Sequence, residues 1–484
     1  MNRFTAQIHK IDKVIFAWPW LTMLIILAVT VFFALQIPAV RIVSDFADLL
    51  PQQHPYIQLH NSIRDTFGGA NNVILSVEVE EGDVFNNDTL QRIHRLTEGV
   101  DSLAGINHNM MASLTHRTTR KVWLSEEGNV KSAPHFDPSK SSYTLEELGT
   151  MRREVVANPR VYGLLVSPDL KSALIRGTLI EGALDYEKVF NQLRELRERE
   201  STEGVSIYAT GNPVLVGWVS SYVGQIVQIF LYTILIMLAL LIVYFRKLYG
   251  ILLPVTGLVL TSIWGLGILS LLGFNLDPLM LVIPFLISAR AMSHGIQLVE
   301  RFYQELAEDP DHRRAARTAF ENLFRPGSLG VISDAIGLML ISLGSVPIND
   351  KLAVYASLWA LSVIVTVLIA IPVMLELLPR PRKTEMKHDI MRRMLPTIAM
   401  RLTGNSGITA ILSIAIICFA VGGYFASWVQ IGEAEPGSPL LYPDHDYNLS
   451  SKAINEAFPG SEELFIVAET EEEGGLKRPE VVKA

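Results

Sequence analysis

The sequence predicts an α-helical polytopic membrane protein that carries a separate external α+β domain. Three observations predict it. The chain has 484 residues, 49% of them hydrophobic and 19% charged, which is too apolar for an ordinary soluble protein of that size. Seven stretches, 15–36, 222–245, 249–272, 279–298, 328–347, 352–378 and 407–428, are apolar. At about 1.5 Å per residue each can cross roughly 30 Å of hydrocarbon. Between the first two lies a hydrophilic insert, 40–221, in which strand-like and helix-like patterns take turns.

Arg3, Lys10 and Lys13 precede the first apolar stretch, which is too long for a signal-peptide core and lacks a small-residue cleavage site, so it reads as the first span. In the insert, 72–80 alternates like a strand and 87–103 has helical periodicity. A weaker apolar stretch at 110–114 and a polar excursion over 115–142 follow. Then come a helix at 145–157, β-rich runs at 161–166 and 172–180, a charged helix at 186–200 and a strand at 205–210. That order suggests a ferredoxin-like unit whose third strand is left open.

The expected organisation is 1–39 for the N-terminus and first span, 40–221 for the external domain and 222–378 for spans two to six. A connecting helix is expected at about 301–326, within the basic segment after span four, whose apolar residues fall at helical spacing. A linker at 379–405, a seventh span at 406–429 and the start of a second external domain at 430–484 complete it. Lys and Arg cluster at the N-terminus, at Arg246 and Lys247, over 301–325 and over 380–401. The positive-inside rule makes these segments cytoplasmic and the insert external.

An internal repeat supports the second external domain. His54-Pro55-Tyr56 recurs as His445-Asp446-Tyr447, Phe67-Gly68-Gly69 as Phe458-Pro459-Gly460, and the strand at 73–78 as 464–469, all at an offset of 391 positions. One constant offset over three separated matches predicts a duplicated architecture whose second half is truncated here. A full second unit extends the expectation to about 780 residues and about twelve spans as parallel repeats.

Composition also excludes functions. A formal net charge of −8, with basic residues beside apolar segments, argues against a nucleic-acid partner. The single cysteine, Cys418, rules out a disulfide within this chain. The external histidines His54, His60, His94, His108, His116 and His135 lack metal-ligand spacing, and Ser or Cys nucleophile motifs are missing, so an enzyme is not expected. The Gly-rich turn at 67–70 precedes a strand rather than a helix, which makes it a turn and not a phosphate cradle.

Arg290 lies in the middle of the fourth apolar stretch, with His294 one turn on and Asp334 early in the fifth. A charge at mid-bilayer costs at least about 2.5–3.5 kcal/mol, so such residues generally mark an ion or proton path. Counting the rise from each end puts His294 and Asp334 at one depth, and places Arg290 and His294 at i and i+4 with Ser293 beside them. The candidate relay is therefore Arg290, Ser293, His294 and Asp334. A static Arg290–Asp334 pair that pins two helices is the alternative. Pro284 either kinks the fourth span or is plain geometry, and Gly265, Gly267 and Gly273 read as packing residues. Val214, Leu215 and Trp218, just before span two, are candidates for a lipid entry route or an interfacial anchor.

One span, a large external α+β domain, five further spans and a restart of the pattern resemble the resistance-nodulation-division (RND) superfamily. The insert size and the segment Gly295-Ile296-Gln297-Leu298-Val299-Glu300-Arg301-Phe302 resemble its MMPL branch of hopanoid and other lipid exporters, related to Patched and sterol-sensing proteins. The resemblance implies a periplasmic porter domain in a bacterial inner membrane. It implies proton antiport, with no cofactor beyond the proton gradient, and relay residues on spans four, five and ten. Expected partners are membrane lipids, a hydrophobic or amphipathic substrate and a periplasmic lipid carrier, in a monomer or trimer. Many relatives carry a Gly-x-Asp motif in span four; alignment on Val299-Glu300-Arg301 puts Ala291 and Ser293 at those positions and leaves Asp334 as the carboxylate. That departure keeps a non-transporting lipid or sterol sensor open, along with a secretion accessory factor.

Overall fold

The computed structural model describes residues 14–40, 51–67, 71–125, 127–180, 185–276, 278–381, 389–429, 436–459 and 477–478. The strand expected over 464–469, the basic residues Arg3, Lys10 and Lys13, and Gly68, Gly69 and Gly460 of the repeat lie outside them. The chain divides into two compact units, one of Met1–His60 with Tyr222–Gln430, the other of Asn61–Ser221 with Ile431–Ala484.

In chain order the helices and strands are α1 (Pro19–Ala34), α2 (Pro55–Phe67), β1 (Asn72–Val79), α3 (Asn87–Asp101), β2 (Arg120–Leu124), β3 (Val130–Pro134) and α4 (Leu145–Val156). Then follow β4 (Ser172–Thr178), α5 (Tyr186–Glu200), β5 (Val205–Thr210), α6 (Asn212–Ser221), α7 (Val223–Phe245), α8 (Leu248–Leu271), α9 (Val282–Glu308) and α10 (His312–Met339). The last are α11 (Pro347–Val363), a π-helical segment (Ile364–Ile369), α12 (Ala370–Leu377), α13 (Asp389–Thr403), α14 (Asn405–Ala426) and α15 (Asp446–Ala457).

The α+β unit is built on an antiparallel sheet of order β4-β1-β5. Its middle strand β1 puts Val73, Leu75 and Val77 at zero exposure, because it is covered on both faces. Side chains cap the helices around it: Asn86 accepts from the Thr89 N–H at α3, and Thr144 and Glu147 form a reciprocal capping box at α4. Helix α15 joins this unit, burying Tyr447 and Ile454 in the same core. Arg197 on α5 donates to both carboxylate oxygens of Asp446, and its Nε donates to the Ile207 carbonyl at 2.6 Å.

Sequence periodicity misreads two segments of this unit. Residues 161–166 are not a strand: the Val161 carbonyl accepts from the Leu165 and Val166 N–H groups, and Gly163 turns with φ +80°. The polar excursion over 115–142 contains the β2–β3 hairpin, with Trp123 opposite Lys131. The weak stretch at 110–114 contributes a single bridge, Ala112 to Arg176, on the outer edge of β4.

The helical unit holds its own core around α8, α9, α10, α11 and the π-segment. Glycines let helices approach: Gly265 on α8 lies against the Trp359 ring and Gly267 against Phe33. Gly273, in contrast, is a turn residue with φ +67° rather than a packing position. Trp264 Nε1 donates to Thr30 Oγ1 at 2.9 Å, tying α8 to α1. Pro284 falls in the first turn of α9, where a missing N–H costs nothing, so the plain-geometry reading applies. Cys418 on α14 is exposed.

No separate connecting helix occupies 301–326. Instead α9 runs on to Glu308, and α10 begins at His312, capped by Asp311, whose side chain accepts from Arg313 and Arg314 N–H groups. The apolar positions that read as one amphipathic surface are the inner faces of two helices: Phe302, Leu306, Ala315 and Phe320 are all buried. The break comes at Asp309-Pro310, where proline disfavours helix in the preceding residue.

Candidate functional site

Arg290 on α9 and Asp334 on α10 meet: Arg290 Nε lies 2.7 Å from Asp334 Oδ2, with the two side chains 42% and 41% exposed. Gly330, one turn before Asp334, provides the seat. A Cβ there would stand 3.1 Å from Arg290 Nη2, so the bare backbone lets the guanidinium lie close along α10. Ser357 on α11 donates to the Ala335 carbonyl at 2.8 Å, fixing α10 beside the pair.

The exposed face of α9 continues one turn on, where Ser293 Oγ accepts from Gln297 Nε2 at 3.4 Å. Arg290, Ser293 and Gln297 thus share a polar stripe at i, i+3 and i+7. His294 does not join it. Its ring is 7% exposed, within the bundle, and Nε2 has no hydrogen-bond partner among the described residues. Four residues advance a helix by about 40°, and that rotation carries position 294 across the boundary between the open and the packed face. The sequence expectation of one shared face for Arg290 and His294 is corrected accordingly.

A second ion pair in the helical unit has a different character. Arg317 on α10 makes two contacts to Glu376 on α12, at 3.1 and 2.8 Å, and also donates to the Phe16 carbonyl at 3.2 Å. The Glu376 side chain is 6% exposed. Two parallel contacts to a buried carboxylate lock helices, whereas the half-open Asp334 carboxylate leaves room for exchange.

The three residues expected at a lipid entry route are packing residues of the α+β unit. Val214 is 3% exposed in its core, and Leu215 and Trp218 are half-buried against it. Trp218 packs edge-on to Phe190 and His445, with centroids 5.1 and 4.8 Å apart. Burial leaves Val214 no surface for a ligand. Among the described residues no three His, Cys, Asp or Glu side chains gather as a metal site.

Seven helices among the described residues are long and apolar enough to cross a membrane, and the charged pair lies on two of them, Val282–Glu308 and His312–Leu343. A family model described as the MMPL family matches residues 48–409, which covers both helices and most of the α+β unit. The chain belongs to the MMPL family. A membrane protein of Methanocaldococcus jannaschii is 24% identical over 363 residues, 74% of this chain and 90% of that protein. MMPL proteins are RND-type transporters rather than enzymes, and this chain is a multi-pass membrane protein of that family. In this MMPL chain the positions beside the candidate residues that sequence reasoning passed over are Gln297 and Gly330. Each was legible only as a one-turn neighbour of a named residue, Gln297 after Ser293 and Gly330 before Asp334.

Proposed function

We propose that this chain is a proton-driven exporter of a lipid or other hydrophobic or amphipathic molecule, with Asp334 as the proton-accepting group and Arg290 as its counter-charge. The half-open Arg290–Asp334 pair carries this reading. An ion pair on a membrane-spanning face is not stable against acyl chains, so that face meets protein or water, and either gives protons access. Protonation of Asp334 removes the charge that holds Arg290, which loosens α9 from α10; deprotonation restores the contact. The Arg317–Glu376 pair, with two contacts to a buried carboxylate, has less such freedom and serves as structure.

The same reading places the N-terminus in the cytoplasm and the α+β unit in the periplasm of an inner membrane. The β4-β1-β5 sheet, with the Ala112–Arg176 bridge as a reduced edge strand, fits a ferredoxin-like porter domain within a duplicated RND architecture. A lipid-sensing role is the second reading, favoured by Ser293 standing where relatives carry an aspartate. The test is flux of a fluorescent lipid in proteoliposomes under an imposed pH gradient. Gradient-dependent flux that Asp334→Asn abolishes supports the exporter; lipid binding without flux in either protein supports the sensor.

A further inference from the structure

Four polar atoms stand unpartnered inside the helical core. Tyr355 Oη and Trp359 Nε1 on α11, and Ser288 Oγ and His294 Nε2 on α9, have no hydrogen-bond partner among the described residues. Their residues are 0%, 1%, 2% and 7% exposed. In a bundle surrounded by hydrocarbon, a polar atom without a partner is strongly disfavoured, so four together point to a ligand that supplies hydrogen bonds.

Their arrangement is a ladder. On α11 and the π-segment, Tyr355, Trp359, Ser362 and Thr366 fall at i, i+4, i+7 and i+11, within about 60° of one another around the axis. Their spacings along it are about 6, 4.5 and 6 Å. Helix α8 closes the face, since Gly265 lies against the Trp359 ring and Thr261 Oγ1 is 2.6 Å from Thr366 Oγ1. Helix α9 fills the remaining side. A Cβ on Gly295 would stand 3.2 Å from Ile371 Cδ1, which sets the level of α9 against α12. Ser288, seven residues before Gly295, is then level with 364, between Ser362 and Thr366. His294 is level with 370, about 6 Å beyond Thr366. Along the axis the steps are about 4.5 to 6 Å, close to the roughly 5.6 Å that one bridging water spans between two polar atoms.

We infer that α8, α9 and α11 enclose a file of internal water running from Tyr355 past Trp359, Ser288 and Thr366 to His294, over about 22 Å of the roughly 30 Å hydrocarbon thickness. The ligand class is water. The π-helical turn at 364–369 lies on this line, and such bulges occur frequently at functional sites. The file runs inside the bundle and does not depend on proton transfer at Asp334.

The test is radiolytic hydroxyl labelling of the full chain in lipid nanodiscs, which modifies buried aromatics only where water is bound beside them. Tyr355 and Trp359 are expected to be oxidised at least ten times faster than Phe302 and Phe320, which are equally inaccessible at 0% exposure. Equal protection of all four overturns the inference. Thr366→Val interrupts the line and is expected to lower Trp359 labelling at least threefold, with the phenylalanine controls unchanged. Unaltered Trp359 labelling in that folded variant also overturns it, because water then arrives by another route. Neither readout involves flux, so a failed exporter reading leaves the outcome legible.

Discussion

The guanidinium of Arg290 places Nε 2.7 Å from Asp334 Oδ2 and lies along the bare backbone of Gly330 on the same helix. A contact at half exposure can break when the carboxylate gains a proton. Asp334→Asn is therefore expected to reduce gradient-driven flux on the order of 100-fold, the scale of losing a positioned proton acceptor. The stability loss should be small, about 1 kcal/mol, because the orphaned Arg290 stays half exposed. Flux against ΔpH with parallel thermal unfolding checks both; flux retained in the variant would sink the relay.

Gly330→Ala separates stability from activity. A methyl 3.1 Å from Arg290 Nη2 obliges the flexible guanidinium to shift by a few tenths of an ångström, while alanine favours helix by up to about 1 kcal/mol over glycine. The variant should melt higher and transport within about twofold of the parent. Gly330→Leu, which fills the seat, should lower flux about tenfold at unchanged folding. Equal flux in all three proteins means the seat is irrelevant.

Glu376→Gln provides the contrast. It neutralises a 6% exposed carboxylate and leaves a 44% exposed Arg317, so it too should cost only about 1 kcal/mol of stability. Gradient dependence of flux should survive. Loss of gradient dependence with stability intact would transfer the proton role to this pair.

Gly265→Val forces a branched side chain into the Trp359 ring on α11. The expected loss is about 2 kcal/mol, since ring and helix must move apart together. Thermal unfolding in detergent measures it, with Gly224→Val on α7, where nothing lies within 4 Å, as the matched control.

Docking of α15 on the α+β unit should depend on pH only in acid. The Arg197 hydrogen bonds hold the Asp446 carboxyl below its usual range, opposed by burial and aided by the charges of Arg197 and His445. A depressed folded value contributes stability that is present above the unfolded value of about 3.9 and is lost as pH falls through the folded one. Amide exchange over 446–457, corrected for intrinsic rate, should show equal protection at pH 7 and 5 and reduced protection below pH 4. Asp446→Asn should show the reduced protection already at pH 7. A loss of protection between pH 7 and 5 in the parent would point to a different titrating group.

Sequence alone determined the seven membrane helices, because twenty apolar residues in a row have no other stable environment, and it located β1, β4 and β5 through alternation and α3, α4 and α5 through helical periodicity. It also singled out Arg290 and Asp334, since a charge inside such a helix is conspicuous by composition. Tertiary structure decided the rest. Whether 301–326 is one surface helix or two inner faces depends on what Phe302 and Phe320 pack against, which periodicity cannot specify. Rotation of α9 by about 40° between Arg290 and His294 sends one side chain to the open face and the other into the core, a distinction set by neighbouring helices. Gly330 carries no chemistry of its own and becomes a seat only when another helix lays a guanidinium across it. Patterns along one chain fix which elements form; which groups meet is fixed by packing between elements distant in sequence.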